Sequence, residues 1–198
     1  MINFDTTLKS DRVLKAALHC FKQYGFKRTS MDDIAKSAEM SRPALYLLFK
    51  NKTDIFRSIA ARFHEITLTN AQTALDSDVD IQTKLLQAIT IRKLPLYALA
   101  HDSVHGPELF DVTMSTAADI NTQANTRFFA SLEQAIQSAM DSGDIAPDTI
   151  TGTITATELS QILCAGAYGL KDMATNSDQY EALLTKMVHT IFAGLHTK

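Results

Sequence analysis

Two helix starts that follow each other closely are the feature that most constrains this fold. Ser30-Met31-Asp32-Asp33 has the pattern of a capping box, in which the serine and the last aspartate each bond the other's backbone N–H. Ser41 is a second N-cap, since Pro43 follows in the first turn, where a proline loses no helix hydrogen bond. Only Glu39 and Met40 are left to form the turn between the two helices.

A longer amphipathic helix precedes this pair. Its apolar residues recur at three- and four-residue spacing: Val13, Ala17, Leu18 and Phe21. Gly25 then offers a left-handed C-cap. The inward faces of the two short helices are predicted to be Ile34, Ala35 and Ala38, then Leu45, Leu48 and Phe49. A bracing helix followed by two short helices with a tight connection is the helix-turn-helix arrangement.

The rest of the chain is also helical by its periodicity, with no convincing strand pattern. Further helices are predicted over residues 55–75, 81–100, 108–114, 117–140, 155–173 and 179–195. Thr53 is the predicted N-cap of the first of these, Pro95 breaks or bends the second, and residues 146–152 read as a linker. We therefore expect an all-α protein of about nine helices. Residues 1–52 would form one domain around the helix-turn-helix, and residues 53–198 a second, helical domain.

Charge divides unevenly along the 198 residues. Residues 1–52 carry ten Lys and Arg against five Asp and Glu, whereas residues 53–198 carry nine against seventeen. The net charge of −3 therefore hides a basic N-terminal part and an acidic remainder. A chain that binds a polyanion with one end requires such an asymmetry.

Several function classes are not expected. The sequence shows no nucleophile elbow, glycine-rich phosphate loop or paired-carboxylate motif, so neither enzyme activity nor a cofactor is predicted. Cys20 and Cys164 fall in apolar helical stretches and are expected to be reduced and buried. Neither a signal peptide nor a membrane-spanning run is visible, which favours a cytoplasmic protein without a membrane partner.

His101 and His105 are four residues apart and invite a metal interpretation. They lie in or next to a loop interrupted by Gly106-Pro107, and no cysteine is near. We therefore predict no metal site, and the sequence leaves any other role of the two histidines open.

The segments TSMDDIA at residues 29–35 and MSRPALYLLFKNKTDIF at residues 40–56 resemble the head of the TetR family of bacterial repressors. The likeness runs from about Val13 to Phe56. Two positions depart from the family pattern. Glu39 stands in the turn where glycine is common, and Leu48 stands where His or Tyr is common.

The resemblance implies that the third helix lies in the major groove of DNA. Its residues near base edges or phosphates would be Ser41, Arg42, Pro43 and Ala44. Tyr46 is similar to a tyrosine that contacts the DNA backbone, and Thr29 and Lys52 are similar to phosphate-clamping positions. Ser30 and Lys50 complete the predicted contacts, although Lys50 also fits a solvated loop. As the long donor near the start of this helix, Arg42 is the candidate guanine reader, unless it turns to a phosphate.

The C-terminal part is expected to dimerise and to bind a ligand. The helices over residues 155–173 and 179–195 have wide apolar faces, so each has a second face to bury. That face would lie against a second copy, or else be filled within one subunit. The predicted walls of a mainly apolar inducer cavity, each also compatible with plain core, are Leu96, Leu99, Phe110, Met114, Phe128, Phe129, Tyr168 and Met173.

The function expected from this organisation is a dimeric repressor released from a palindromic operator by a small, mainly apolar inducer. Ligand binding would move the two heads off their half-site spacing, with the fourth helix as the lever. The alternative interpretation is a helical ligand-binding or scaffold protein that does not bind DNA. The sequence does not separate a repressor from an activator.

Overall fold

The computed structural model describes residues 4–146, 148–149 and 152–195. Its chain forms two compact units. The first unit is Met1–Ile66 with Ala98–Gln123, and the second is Thr67–Tyr97 with Ala124–Lys198. None of the described helices combines the length and apolar character needed to cross a membrane.

The first unit contains the predicted N-terminal helices and three later segments. Its helices are α1 (Lys9–Tyr24), α2 (Met31–Ser37), α3 (Arg42–Leu48), the first part of α4 (Lys52–Leu75), the end of α5 (Ile81–His101), α6 (Gly106–Thr116) and the start of α7 (Ala118–Ser142). In the apolar stripe of α1, Val13, Ala17 and Phe21 have 0% exposure, and Leu18 is partly buried. Around Phe21 the rings of Phe26 and Phe56 lie 5.2 and 5.9 Å away, so α1, α4 and the loop before α2 share one aromatic cluster.

The second unit is built from the rest of α4, α5 and α7 and from the C-terminal helices. The C-terminal elements are β1 (Asp148–Thr149), β2 (Gly152–Thr153), α8 (Ala156–Gly169), a 3-10 turn (Leu170–Asp172) and α9 (Ser177–Ala193). Tyr97 and Tyr180 stack at its centre with ring centroids 4.4 Å apart. Tyr97 donates to the carbonyl of Ala174, and Tyr180 to that of Ala167, each at 2.8 Å. Both buried hydroxyls are thereby satisfied.

The all-α prediction is confirmed, since the described residues contain nine α-helices. At the predicted linker lies a two-residue antiparallel ladder, in which Asp148 faces Thr153 and Thr149 faces Gly152. So short a ladder leaves no alternating apolar pattern for the sequence to show.

Three predicted helix boundaries need correction. Thr53 is not the N-cap of α4, because the helix begins at Lys52 and the Asn51 side chain accepts from the Asp54 N–H at 2.8 Å. Pro95 does not break α5, which continues from Ile81 to His101, and the predicted alternative, a bend, stays a prediction. The loop predicted before residue 108 is shorter, since α6 already begins at Gly106 and accommodates Pro107 in its first turn.

The compact units do not coincide with the predicted division at residue 52. The first unit continues along α4 to Ile66 and takes in residues 98–123. The apolar periodicity of the sequence cannot reveal this division. A helix such as α4 has the same periodicity whether one compact unit or two bury it. The predicted division concerns function, DNA binding against ligand binding, and stays a prediction.

Candidate nucleic-acid interface

Side-chain caps build the α2–turn–α3 segment. The Ser30 hydroxyl accepts from the Asp33 N–H at 3.2 Å, and the Asp33 carboxylate accepts from the Ser30 N–H at 2.9 Å. At the start of α3, the Ser41 hydroxyl accepts from the Ala44 N–H at 3.4 Å. The predicted capping box and the second N-cap are both confirmed. Each satisfies backbone donors that a helix start leaves unpaired.

The turn between α2 and α3 places a glutamate in a left-handed conformation. Glu39 has a φ of 54°, the one positive value at a non-glycine among the described residues. The Met40 N–H then donates to the Ala35 carbonyl at 2.9 Å and closes the end of α2. Glu39 therefore takes the backbone conformation that favours glycine, at a cost of about 1–2 kcal/mol.

The third helix presents three consecutive apolar side chains to solvent. Leu45 and Phe49 face the core, whereas Tyr46, Leu47 and Leu48 are 47%, 87% and 40% exposed. The prediction that Leu48 faces inward was wrong, because Leu45 and Phe49 one turn apart define the buried side and Leu48 lies off it. Leu47 was missed as a candidate contact, although its position opposite that side follows from the same helical angle. An exposed leucine can contact a thymine methyl group.

Arg42, the predicted base reader, is ion-paired in the free chain. Its guanidinium contacts the carboxylate of Asp32 on α2, and both side chains remain largely accessible. An exposed pair of this kind contributes up to about 1 kcal/mol, so a stronger partner can displace the aspartate. The pair orients Arg42 and sets a competition between Asp32 and any DNA contact.

Lys52, predicted to clamp a phosphate, donates instead to three backbone carbonyls before α2. Its ammonium nitrogen lies 2.5 Å from the oxygen of Phe26, 3.2 Å from that of Lys27 and 2.8 Å from that of Thr29. It also lies 4.5 Å from the centre of the Phe26 ring. Burial lowers the pKa of Lys52, with Glu108 partly opposing the shift. In the free chain this lysine therefore braces the loop at residues 26–29.

Thr29 lies inside the same loop. The residue is 2% exposed, and its hydroxyl donates to the Gly25 carbonyl at 2.7 Å. Its side chain thus stabilises the approach to α2 in this structure, and its predicted phosphate contact stays a prediction.

Glu108 on α6 holds the same loop, a contact that sequence reasoning missed. Its carboxylate accepts from the Lys27 N–H at 2.8 Å and lies 3.9 Å from Nδ1 of His105. A Cβ on Gly25 would meet this carboxylate, and Gly25 has a φ of 83°. Because residues 27 and 108 are 81 positions apart, no local sequence pattern indicates this contact.

The remaining predicted DNA contacts differ in accessibility. Ser30, Ser41, Pro43 and Lys50 are exposed, and Ala44 is half-buried. Lys27 and Arg28 are also exposed, next to the N-cap of α2, and were missed as candidates. Their signal was available, since two adjacent cations just before a helix N-cap suit a phosphate.

The predicted ligand-binding residues fall in both units. Leu99, Phe110 and Met114 belong to the first unit, and Leu96, Phe128, Phe129, Tyr168 and Met173 to the second. Phe128 is buried, whereas Met114, Tyr168 and Met173 are 50%, 63% and 65% exposed. Their role in ligand binding stays a prediction. No group of three His, Cys, Asp or Glu in the described part of the chain could hold a metal ion.

Exchanging Lys52 for methionine distinguishes a loop brace from a phosphate clamp. We expect Lys52→Met to lower the free energy of unfolding by about 1.5–3 kcal/mol in urea, because three charge-assisted hydrogen bonds are lost. The exposed neighbour provides the control, and Lys50→Met should change stability by less than about 0.5 kcal/mol. If stability is unchanged and the slope of log K for DNA binding against log salt concentration falls by about 1, Lys52 instead binds a phosphate.

A family model matches the segment that contains α2 and α3. The model of the tetR family of bacterial regulatory proteins matches residues 13–59. The HTH-type transcriptional regulator YhgD of Bacillus subtilis is 30% identical over 77 residues, which are 39% of this chain and 40% of that protein. The HTH-type transcriptional regulator AcrR of Shigella flexneri is 45% identical over 47 residues, 24% of this chain and 22% of that protein. The matches thus span well under half the length of these relatives.

Solved structures resemble the chain over nearly its whole length. SmeT, the repressor of the Stenotrophomonas maltophilia multidrug efflux pump SmeDEF, superposes with a TM-score of 0.67 at 18% identity. The superposition covers 97% of this chain and 93% of SmeT. A complex of SmeT with triclosan gives a TM-score of 0.66, at 17% identity over 96% of this chain and 92% of that one. At such identities the likeness concerns the fold.

Three observations point the same way. The family model covers α1 through the first turns of α4, the curated relatives match at similar length, and the fold is that of solved regulators. Residues 13–59 therefore match the tetR family of bacterial regulatory proteins, and the chain as a whole shares the fold of SmeT.

Proposed function

We propose that the protein is a transcription regulator that binds double-stranded DNA through α3. The observation that carries the proposal is the accessible surface of α3 and its surroundings. It presents Arg42, Tyr46 and Leu47 to solvent. The exposed Lys27 and Lys50 lie just before α2 and α4 in the sequence. Long donors read base edges, apolar groups read thymine methyls, and lysines bind phosphates.

The protein would act as a homodimer on a palindromic operator. A symmetric dimer places two recognition helices at half-sites about one helical turn of DNA apart, or a multiple of it. Support for an interface through α8 and α9 comes from Ile162 and Tyr168 on α8, which are 48% and 63% exposed beside a buried core face. On α9, Met187 and Ile191 are only partly buried. These two helices therefore retain apolar surface that a second copy would cover.

A small molecule would relieve repression by favouring a conformation with the wrong half-site spacing. Support for a ligand comes from SmeT, a fold relative that forms a complex with triclosan. Within this chain α4 would transmit the change, because its residues 52–66 belong to the first unit and its residues 67–75 to the second. A ligand shifts such an equilibrium only by its different affinities for the two conformations.

Selection from random duplex DNA, followed by fluorescence anisotropy, tests the proposal. We expect a palindromic consensus and an affinity that falls steeply between about 50 and 200 mM salt. Tyr46→Phe should weaken binding to the selected site by about three- to tenfold, the value of one lost hydrogen bond to a phosphate. The matched control is Tyr24→Phe, since Tyr24 is equally exposed at the end of α1. No enrichment, or a salt-independent affinity, would favour a helical binding protein that does not use DNA.

A further inference from the structure

The second unit buries two adjacent cations. Arg92 on α5 is 3% exposed, and its neighbour Lys93 is partly buried. Burial of this kind is costly unless an opposite charge compensates it. Among the described residues, however, no salt bridge joins either side chain to a carboxylate.

The hydrogen bonds of Arg92 are few and neutral. Its terminal nitrogens reach the Thr67 hydroxyl at 3.5 Å and the Asn125 amide oxygen at 3.2 Å. Its Nε is buried and has no partner among the described residues. A guanidinium has five donors in a planar fork suited to an oxyanion, so the structure leaves part of that fork unused.

The neighbouring thiol does not supply the missing negative charge. Burial raises the pKa of Cys164 above its ordinary value, in spite of the two cations that oppose the shift. The thiol therefore stays neutral at physiological pH. Burial also lowers the pKa of Arg92 to about 10 and lowers that of Lys93, to which Lys171 adds a further repulsion.

The two cations lie close to the ring of Phe128. The Arg92 guanidinium and the Lys93 ammonium lie 5.9 and 5.6 Å from the centre of the Phe128 ring. Phe128 is among the predicted ligand-binding residues and is 1% exposed. Helices α4, α5, α7 and α8 thus bring Thr67, the two cations, Phe128 and Cys164 together, with donors and apolar surface side by side.

We propose that Arg92 and Lys93 bind the anionic group of the small molecule to which the protein responds, with Phe128 next to its apolar part. The ligand class is then an amphipathic anion, a carboxylate or a phosphate on an apolar skeleton, rather than a purely apolar compound. This inference rests on the proposed ligand-responsive function, but the binding that it predicts can be measured without DNA.

Binding and stability measurements on Arg92→Met test the site. The probes are inorganic phosphate, acetate and decanoate, with decanol as the neutral counterpart of decanoate, in thermal unfolding and calorimetric titration at constant ionic strength. At least one anion should raise the unfolding midpoint of the wild type, and decanoate should bind more tightly than decanol. Arg92→Met should weaken that binding by about ten- to a hundredfold, the value of charge-assisted hydrogen bonds.

The ligand-free stability of the same variant adds a second readout. If the arginine is held for a ligand, a methionine of similar length should leave the unfolding midpoint unchanged or raised, because an uncompensated buried charge is removed. Lys93→Met provides a second binding variant should Arg92→Met fold poorly. Lys186→Met is the control, since Lys186 is an exposed cation on α9 in the same unit, and it should bind the probes like the wild type.

The proposal is overturned if none of the three anions binds the wild type, or if they bind Arg92→Met as tightly as the wild type. Anisotropy on the selected duplex separates this outcome from failure of the proposed function. Arg92→Met should retain wild-type DNA affinity without ligand and lose the response to the anion. If the protein binds the anion through Arg92 but binds no DNA, the proposed ligand site is supported and the proposed regulator function is refuted.

Discussion

Gly25→Ala should destabilise the protein and weaken the proposed DNA binding. Gly25 has a φ of 83°, a conformation that L-residues rarely adopt, and a Cβ there would meet the Glu108 carboxylate and the His105 ring. The backbone strain costs about 1–3 kcal/mol, and movement of Glu108 would also release the Lys27 N–H. Because a domain is stabilised by only about 5–15 kcal/mol, the change is large. Urea unfolding and anisotropy on the selected duplex measure both effects.

A second glycine provides the control. Gly169 at the end of α8 has a φ of −66°, and a Cβ there would meet nothing within 4 Å. Gly169→Ala should therefore leave stability unchanged or raise it by up to about 1 kcal/mol, as alanine is the better helix former. Equal urea midpoints for the Gly25 and Gly169 variants would show that the loop before α2 tolerates a side chain and does not need the contact with Glu108.

Arg42→Ala should weaken binding to the selected operator by about ten- to a hundredfold, the value of a bidentate contact to guanine. The loss should be confined to one base pair per half-site. Repeating the selection with the variant would show relaxed preference there and nowhere else. A uniform loss across sequences, with a salt slope lower by about 1, would instead assign Arg42 to a phosphate.

Asp32→Asn should act in the opposite direction. The Asp32 carboxylate holds Arg42 in the free chain, so its neutralisation releases the guanidinium and removes a negative charge beside DNA. We expect up to about fivefold tighter binding, the upper value of an exposed ion pair. The control is Asp33→Asn, because Asp33 pairs with Ser30 in the capping box and should lower stability instead. Weaker binding by Asp32→Asn would show that the pair positions Arg42 for DNA rather than competing with it.

The caps and inward faces of the N-terminal helices were predictable, because they depend on contacts within one helical turn. Ser30, Asp33 and Ser41 occupy the predicted cap positions, and Val13, Ala17 and Phe21 of the α1 stripe are buried as expected. Leu48 was placed wrongly because a seven-residue helix offers too few positions to fix its angle from apolar residues alone. The N-cap of α4 was wrong by two residues, since Asn51 and Thr53 are both acceptable N-caps.

The sequence indicated only the composition of the proposed ligand site. Apolar residues such as Phe128 were candidates because inducer cavities are mainly apolar, and that reasoning left Arg92 out. A Lys or Arg in a helical sequence is predicted to be exposed to solvent unless its burial is known. Only the packing of α4, α5 and α7 shows that Arg92 is 3% exposed and that its hydrogen bonds go to Thr67 and Asn125.

By itself, the sequence determined the helix-turn-helix segment, its caps and its basic character, because these follow from neighbours a few positions apart. The tertiary structure decided how that segment is held. Lys52 reaches the Thr29 carbonyl from 23 positions away, and Glu108 reaches the Lys27 N–H from 81. Such contacts depend on which helices pack together, and the packing depends on apolar burial that many sequences satisfy equally. The side chains that brace the loop therefore became distinguishable from the proposed base readers and ligand donors only once burial and partners were known.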